Sequence, residues 1–163
     1  LAAWSPDMAG CLVLDVRMPG MSGLELYERL TQMHSTLPVI FITGHGDVPM
    51  AVSALKKGAV DFIEKPFNDK DMLRLIETCL ALDREQREKR SHTAEIRRQL
   101  EQLTQREHEV LDLIIAGKLN KQIADVLSIS IKTVEVHRAR VMEKMGARTL
   151  ADLVQRVLSA GAG

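Results

Sequence analysis

At 163 residues, 45% apolar and 27% charged, the chain is long enough for one or two self-supporting cores and is neither disordered nor fibrous in composition. Nothing in it approaches the roughly twenty consecutive apolar residues of a membrane span. Its net charge of zero hides an asymmetry, because residues 1–83 carry 7 Lys and Arg against 11 Asp and Glu, while 84–163 carry 15 against 11.

The first segment alternates in type. An apolar run, Gly10-Cys11-Leu12-Val13-Leu14, closes on Asp15 and gives way to the turn residues Met18-Pro19-Gly20, which predicts a buried strand over 11–15. A helix over about 23–33 follows, then a strand over 38–42 that delivers Thr43 into Gly44-His45-Gly46. A helix over about 48–57, a strand over 60–64 that delivers Lys65 just before Pro66, and a helix over about 69–82 complete the series. Strands separated by helical crossovers imply a parallel sheet, and their continuous Val, Ile and Leu character implies burial on both faces. Open sheets of this kind keep their chemistry at the carboxyl ends of the strands. Asp15, Thr43 and Lys65 would there offer a carboxylate, a hydroxyl and an ammonium, a set able to receive, orient and neutralise a phosphoryl group with Asp15 as nucleophile. Cys11 and Cys79 lie in apolar stretches and are too few for a disulfide framework or a zinc site, so they read as small hydrophobes in a reducing cytoplasm.

From Asp83 to Glu101, eleven of nineteen residues are charged, and Glu85 with Lys89 and Arg97 with Glu101 have the spacing of helical ion pairs. With no Gly or Pro, the segment reads as a solvated helix continuing the preceding one. Leu75, Cys79 and Leu82, then Ile96, Leu100 and Leu103, keep a 3/4 spacing, so a dimeric coiled coil stands beside a plain helical linker as a reading. Residues 104–159 hold four short helices and no strand pattern. Thr104 with Glu107 forms a capping box, Gly117 ends that helix, a second runs over about 120–127, Ser130 caps a third over about 131–145 ended by Gly146, and Thr149 starts a fourth. Short helices in a segment enriched in Lys and Arg suggest a helix-turn-helix. The third helix should enter the major groove, with Val134, Val141 and Met145 on its buried side and Lys132, Glu135, Val136 and Ala139 outward. Glu135 could accept from a cytosine amino group and Val136 could touch a thymine methyl, while Lys121, Arg138 and Arg140 suit phosphates.

The motifs Leu12-Val13-Leu14-Asp15-Val16-Arg17-Met18-Pro19-Gly20-Met21-Ser22-Gly23, Phe41-Ile42-Thr43 and Asp61-Phe62-Ile63-Glu64-Lys65-Pro66-Phe67 together resemble the receiver domain of two-component response regulators. Leu103-Thr104-Gln105-Arg106-Glu107, Asn120-Lys121-Gln122-Ile123-Ala124 and Thr133-Val134-Glu135-Val136-His137 resemble the LuxR-type helix-turn-helix of NarL/FixJ regulators, in particular the FixJ branch. The resemblance implies a flavodoxin-like α/β receiver over 1–82, a helical linker over 83–101 and an all-α DNA-binding domain over 102–163. It implies Asp15 as phosphoacceptor and ligand of Mg²⁺, the main-chain carbonyl of Arg17 as a second ligand, Thr43 and Lys65 as partners of phosphoryl oxygens, a cis Lys65-Pro66 peptide and Phe62 as a rotameric switch. It also assigns Glu135, Val136 and Ala139 to the base-reading surface, and Lys132 and Thr133, with Lys121, Arg138 and Arg140, are the further candidates for DNA contact.

The function implied is a cytoplasmic transcriptional regulator, an activator by resemblance, that dimerises when a sensor histidine kinase phosphorylates Asp15 and binds promoter double-stranded DNA. RNA polymerase is a further candidate partner, and no membrane partner is expected. An aspartyl-phosphate hydrolase would want a second acid two residues after Asp15, where Arg17 stands, so turnover chemistry is disfavoured and no enzyme is expected. A third reading makes the first domain a dimerising module indifferent to phosphorylation. One departure matters: receivers carry a pair of acidic residues after their first strand that completes the Mg²⁺ site, and no such segment is present. Leu1 matches a point near the end of the second helix, so about 40 residues of a 2-1-3-4-5 sheet are expected upstream in an intact parent. A polypeptide beginning at Leu1 would lack those acids, expose strand 11–15 as an apolar edge, resist phosphorylation, and aggregate or swap strands.

Overall fold

The computed structural model describes residues 5–161, which divide into two compact units, the first ending at Glu88 and the second beginning at Lys89. The first unit contains β1 (Leu12–Asp15), α1 (Gly23–Gln32), β2 (Val39–Thr43), α2 (Val48–Lys56), β3 (Asp61–Glu64) and the start of α3 (Asp69–Glu101). The strands form a parallel sheet in the order β1-β2-β3, with Leu14 opposite Phe41 and Phe41 opposite Phe62. Every element lies where the sequence pattern expects it, to within a residue or so at its ends. Thr43 belongs to β2 because its carbonyl accepts from the Lys65 N–H at 2.9 Å, which carries the ladder one residue further. The Lys65-Pro66 peptide is cis.

The central strand carries the core. Val39, Ile40 and Phe41 are buried, and Tyr27 from α1 meets the Phe41 ring edge-on at 5.7 Å. β1 is an edge of the described sheet, where Val13 remains 38% exposed. Ser22 and Glu25 form a capping box that starts α1 immediately after the loop leaving β1. Cys79 is fully buried, and desolvation, with lesser contributions from Cys11 and Asp61, pushes its thiol up to about 11, consistent with a protonated packing residue. Asp83, the first residue of the charged segment, is not solvated: its carboxylate accepts from the Gly10 N–H at 3.0 Å and pairs with Arg87 at 3.3 Å.

The second unit comprises the end of α3, α4 (Gln105–Ile115), α5 (Asn120–Leu127), α6 (Ile131–Lys144) and α7 (Leu150–Ser159). Its core joins Ile96 and Leu103 to Val110, Ile123, Val134, Val141, Met145 and Leu153. Ile96 and Leu103 are therefore engaged within this unit, and Cys79 within the first, so these members of the 3/4-spaced seam are not free to face a second helix. Thr104, Ser130 and Thr149 cap α4, α6 and α7 through their hydroxyl oxygens. Gly117 and Gly146 follow α4 and α6 with φ of 74° and 58°, a backbone region where a side chain is strained. No helix among the described residues is long and apolar enough to cross a membrane.

Glu107 does more than cap. It is 1% exposed, and its Oε2 accepts from Lys144 Nζ at 2.6 Å and from the Thr104 N–H at 2.8 Å, while Lys144 also donates to the Gln102 carbonyl at 3.1 Å. One ammonium thus ties the end of α6 to the start of α4 and to the chain leaving α3. The Lys144 hydrogen bond, then the Thr104 N–H, hold the Glu107 carboxyl below the usual glutamate range. A depressed folded-state value means the stabilisation is present above the ordinary glutamate value and is lost as pH falls through the depressed one. Lys144→Met should cost about 2–3 kcal/mol at neutral pH, because it strands a buried carboxylate, and Glu107→Gln should cost less. Denaturant titration of the second unit at pH 7 and pH 4 checks both the order and the smaller gap at low pH.

Candidate functional site

Three strand ends meet at one edge of the sheet. Asp15 closes β1, Thr43 closes β2 and Lys65 follows β3, with Asp15 paired in register to Ile42 and Thr43 to Glu64. Lys65 Nζ lies 2.5 Å from Asp15 Oδ2, and the Arg17 N–H donates to Asp15 Oδ1 at 3.0 Å. Each carboxylate oxygen therefore has a cationic or main-chain donor. The Lys65 hydrogen bond, then the Arg17 N–H, hold the Asp15 carboxyl below the usual aspartate range, which favours its charged form. The side chains are about a third and a half exposed, which leaves the pair open to an incoming group.

Thr43 is fully buried, and its hydroxyl donates to the Gly44 carbonyl at 3.1 Å; no hydrogen bond joins it to Asp15 among the described residues. Phe62 is half-buried against the sheet core opposite Phe41. His45 pairs with Glu64 beside this edge.

Two neighbours have roles that the sequence reading did not give them. Gly23 opens α1 so close to β1 that a Cβ there would stand 2.2 Å from the Asp15 carbonyl oxygen, so only glycine lets α1 begin against the strand that ends in Asp15. In the sequence it is the last residue of the motif that follows Asp15, and nothing local announces the close approach. Asp47, at the N-cap of α2, receives the Arg17 guanidinium, with Nε 2.9 Å from both carboxylate oxygens and Nη2 2.8 Å from Oδ1. Asp47 ahead of Pro49 signals a helix start, but nothing local names Arg17 as its partner.

The Asp15 carboxylate and the Arg17 carbonyl are hard oxygen donors of the kind Mg²⁺ accepts, and they would supply only part of its octahedron. No group of three or more His, Cys, Asp or Glu side chains able to hold a metal occurs among the described residues.

In the second unit, α6 divides as the sequence pattern expects. Val134, Val141 and Met145 are fully buried, while Lys132, Glu135, Val136, Ala139 and Arg140 are exposed. Lys121 is exposed in the first turn of α5. Thr133 is half-buried and engaged with the Ser130 cap, its Oγ1 2.8 Å from Ser130 Oγ. Arg138 is half-buried, and its Nη1 donates to Asn120 Oδ1 at 2.9 Å, fastening α6 to the start of α5. Asn120 is thus a further residue that positions this surface.

If Lys65 is what lowers the Asp15 value, Lys65→Met should return the Asp15 carboxyl toward the ordinary aspartate range. A carboxyl-detected NMR titration of the two proteins should show a higher midpoint in the variant, and equal midpoints would contradict the assignment.

Comparison with known proteins places both units. Residues 1–77 match the response regulator receiver domain, and residues 101–157 match the bacterial regulatory proteins of the luxR family. Nodulation protein W of Bradyrhizobium diazoefficiens is 45% identical over 155 residues, which cover 95% of this chain and 68% of that protein. Response regulator protein TodT of Pseudomonas putida is 47% identical over 90% of this chain and 64% of its own length. Transcriptional regulatory protein FixJ of Rhizobium meliloti is 49% identical over 99% of this chain and 79% of its own. The chain therefore spans roughly two thirds to four fifths of these relatives. The solved structure of response regulator StyR superposes with a TM-score of 0.85 at 47% identity, covering 96% of this chain and 79% of that one. With a receiver fold bearing a lysine-paired aspartate at its strand ends, and a LuxR-type helix-turn-helix behind it, this chain belongs to the FixJ-type response regulators.

Proposed function

We propose that the intact protein is a transcriptional regulator whose DNA binding is controlled by phosphorylation of Asp15. The observation that carries this reading is the Asp15 carboxylate held between Lys65 and the Arg17 N–H, on the same chain as an exposed α6 surface. A sensor histidine kinase would donate the phosphoryl group: an Asp15 oxygen attacks phosphorus, the phosphorus–nitrogen bond of the phosphohistidine breaks, and imidazole leaves. Lys65 keeps its proton and moves its hydrogen bond from Asp15 Oδ2 to a phosphoryl oxygen. Mg²⁺ bound by Asp15 and the Arg17 carbonyl would neutralise charge on the transferring group. Asp15 is an acceptor here, not the centre of a turnover cycle.

The phosphoryl group adds about 1.5 to 2 negative charges and three acceptor oxygens. The Thr43 hydroxyl, now on the Gly44 carbonyl at the end of the adjacent strand, would be recruited to it, and Phe62 on the neighbouring strand would swing inward as Thr43 moves. The change would reach the α2 and β3 face and favour a homodimer through it. Two α6 helices would then sit about one DNA turn, roughly 34 Å, apart on a two-fold promoter site. Glu135, Val136 and Ala139 are the candidates for base contact. Lys121, Lys132 and Arg140 suit phosphates, and Thr133 and Arg138 support that surface from their places beside Ser130 and Asn120.

Acetyl phosphate with Mg²⁺ should raise the affinity of the full-length protein for its promoter by about tenfold or more through dimerisation. Asp15→Asn should abolish that gain and leave the basal affinity unchanged. Fluorescence anisotropy at fixed salt measures both; equal affinities with and without donor would favour a receiver that dimerises independently of phosphorylation.

A further inference from the structure

Asp47 holds the N-cap of α2 without using its carboxylate to cap, although aspartate is among the residues best suited to that role. Both oxygens instead face the Arg17 guanidinium, at 2.8 to 2.9 Å. The two partners differ sharply in setting, with 77% of the Arg17 side chain exposed and only 6% of that of Asp47. Arg17 also touches the acceptor, because its own N–H holds Asp15 Oδ1 at 3.0 Å. One residue therefore engages the acceptor carboxylate through its main chain and the first residue before α2 through its side chain. Between them runs a short turn, Thr43 to Asp47, closed by the Asp47 N–H donating to the Gly44 carbonyl at 3.0 Å.

Building on the phosphorylation-dependent function proposed above, we infer that Asp47 is a positioning residue whose ion pair with Arg17 holds the 44–47 turn and the start of α2 in the resting arrangement. A phosphoryl group on Asp15 releases this pair by competing for the guanidinium. The phosphoryl oxygens gather negative charge on a carboxylate two residues from Arg17, and bidentate pairing with such oxygens suits a guanidinium. Arg17 is exposed enough to turn toward them. Asp47 is not exposed, so losing Arg17 leaves a desolvated carboxylate with no cation, and the turn must rearrange to satisfy it. Pro49 has no N–H to give, which leaves the Met50 N–H, now on the Asp47 carbonyl at 3.0 Å, as the donor a relaxed cap could take. By linkage, a contact that phosphorylation weakens must itself oppose phosphorylation.

The test uses the full-length protein, with sedimentation equilibrium for dimerisation and gel separation of phosphorylated protein for occupancy. Asp47→Asn keeps a good capping residue and removes the charge. Arg17→Met removes the guanidinium and leaves its main chain in place, so it carries the test if the first variant fails to fold. Each folded variant should dimerise about fivefold more tightly than wild type with no donor present. Asp47→Asn should also reach half-occupancy at a lower acetyl phosphate concentration. Asp47→Glu, which restores the charge, should return both readings toward wild type. Folded variants with wild-type or weaker dimerisation would overturn the inference. A wild-type protein that fails to dimerise on addition of donor would instead overturn the functional reading beneath it.

Discussion

The first unit depends on one constraint: an aspartate carboxylate must stay charged, accessible and fixed at the end of a strand. Lys65 and the Arg17 N–H meet that constraint with one donor for each oxygen. They can do so because β1, β2 and β3 are parallel and in register, so that three loops leave from the same edge. Phe41 and Ile40 in the middle strand are fully buried, which makes the platform rigid where the loops begin. Gly23 adds a second condition, since α1 starts in contact with the Asp15 carbonyl and leaves no room for a methyl group.

The second unit meets a different demand with the same economy. A helix that is to read DNA, as proposed for α6, must be anchored on one side and bare on the other, and α6 has Val134, Val141 and Met145 at zero exposure against Glu135, Val136 and Ala139 in solvent. Its two ends are held by polar contacts. Near its start the Ser130 cap fixes the first turn, and Arg138 reaches Asn120 on α5. Its end is fixed by Lys144, which shares Glu107 with the cap of α4. The axis of α6 is thereby set by charge-assisted bonds as well as by packing.

Much of this was legible in the residues. The strands are unbroken apolar runs, and the ends of the helical segments are written in Thr104, Ser130, Thr149, Gly117 and Gly146, whose roles depend only on near neighbours. Asp15, Thr43 and Lys65 could be brought together because strand order in a parallel sheet fixes which ends are adjacent. What escaped were contacts between distant positions that no strand end announces: Arg17 with Asp47, Glu107 with Lys144, and the Asp83 carboxylate with the Gly10 N–H. A charge in a sequence looks the same whether it faces water or a partner thirty residues away, so Asp83 read as the start of a solvated helix and Glu107 as a cap alone. The apolar spacing that runs through α3 to Leu103 left a coiled coil and a plain linker both open, and Ile96 and Leu103 serve a core within their own unit.

The central claim is chemical: the phosphoryl group resides on the Asp15 carboxylate. Borohydride reduces an acyl phosphate of aspartate to homoserine and leaves free carboxylates untouched. The intact protein, treated with acetyl phosphate and Mg²⁺, reduced and sequenced by mass spectrometry, should carry homoserine at position 15 and nowhere else. Homoserine at another aspartate, or unmodified Asp15 in a protein that has demonstrably taken up phosphate, would contradict the account.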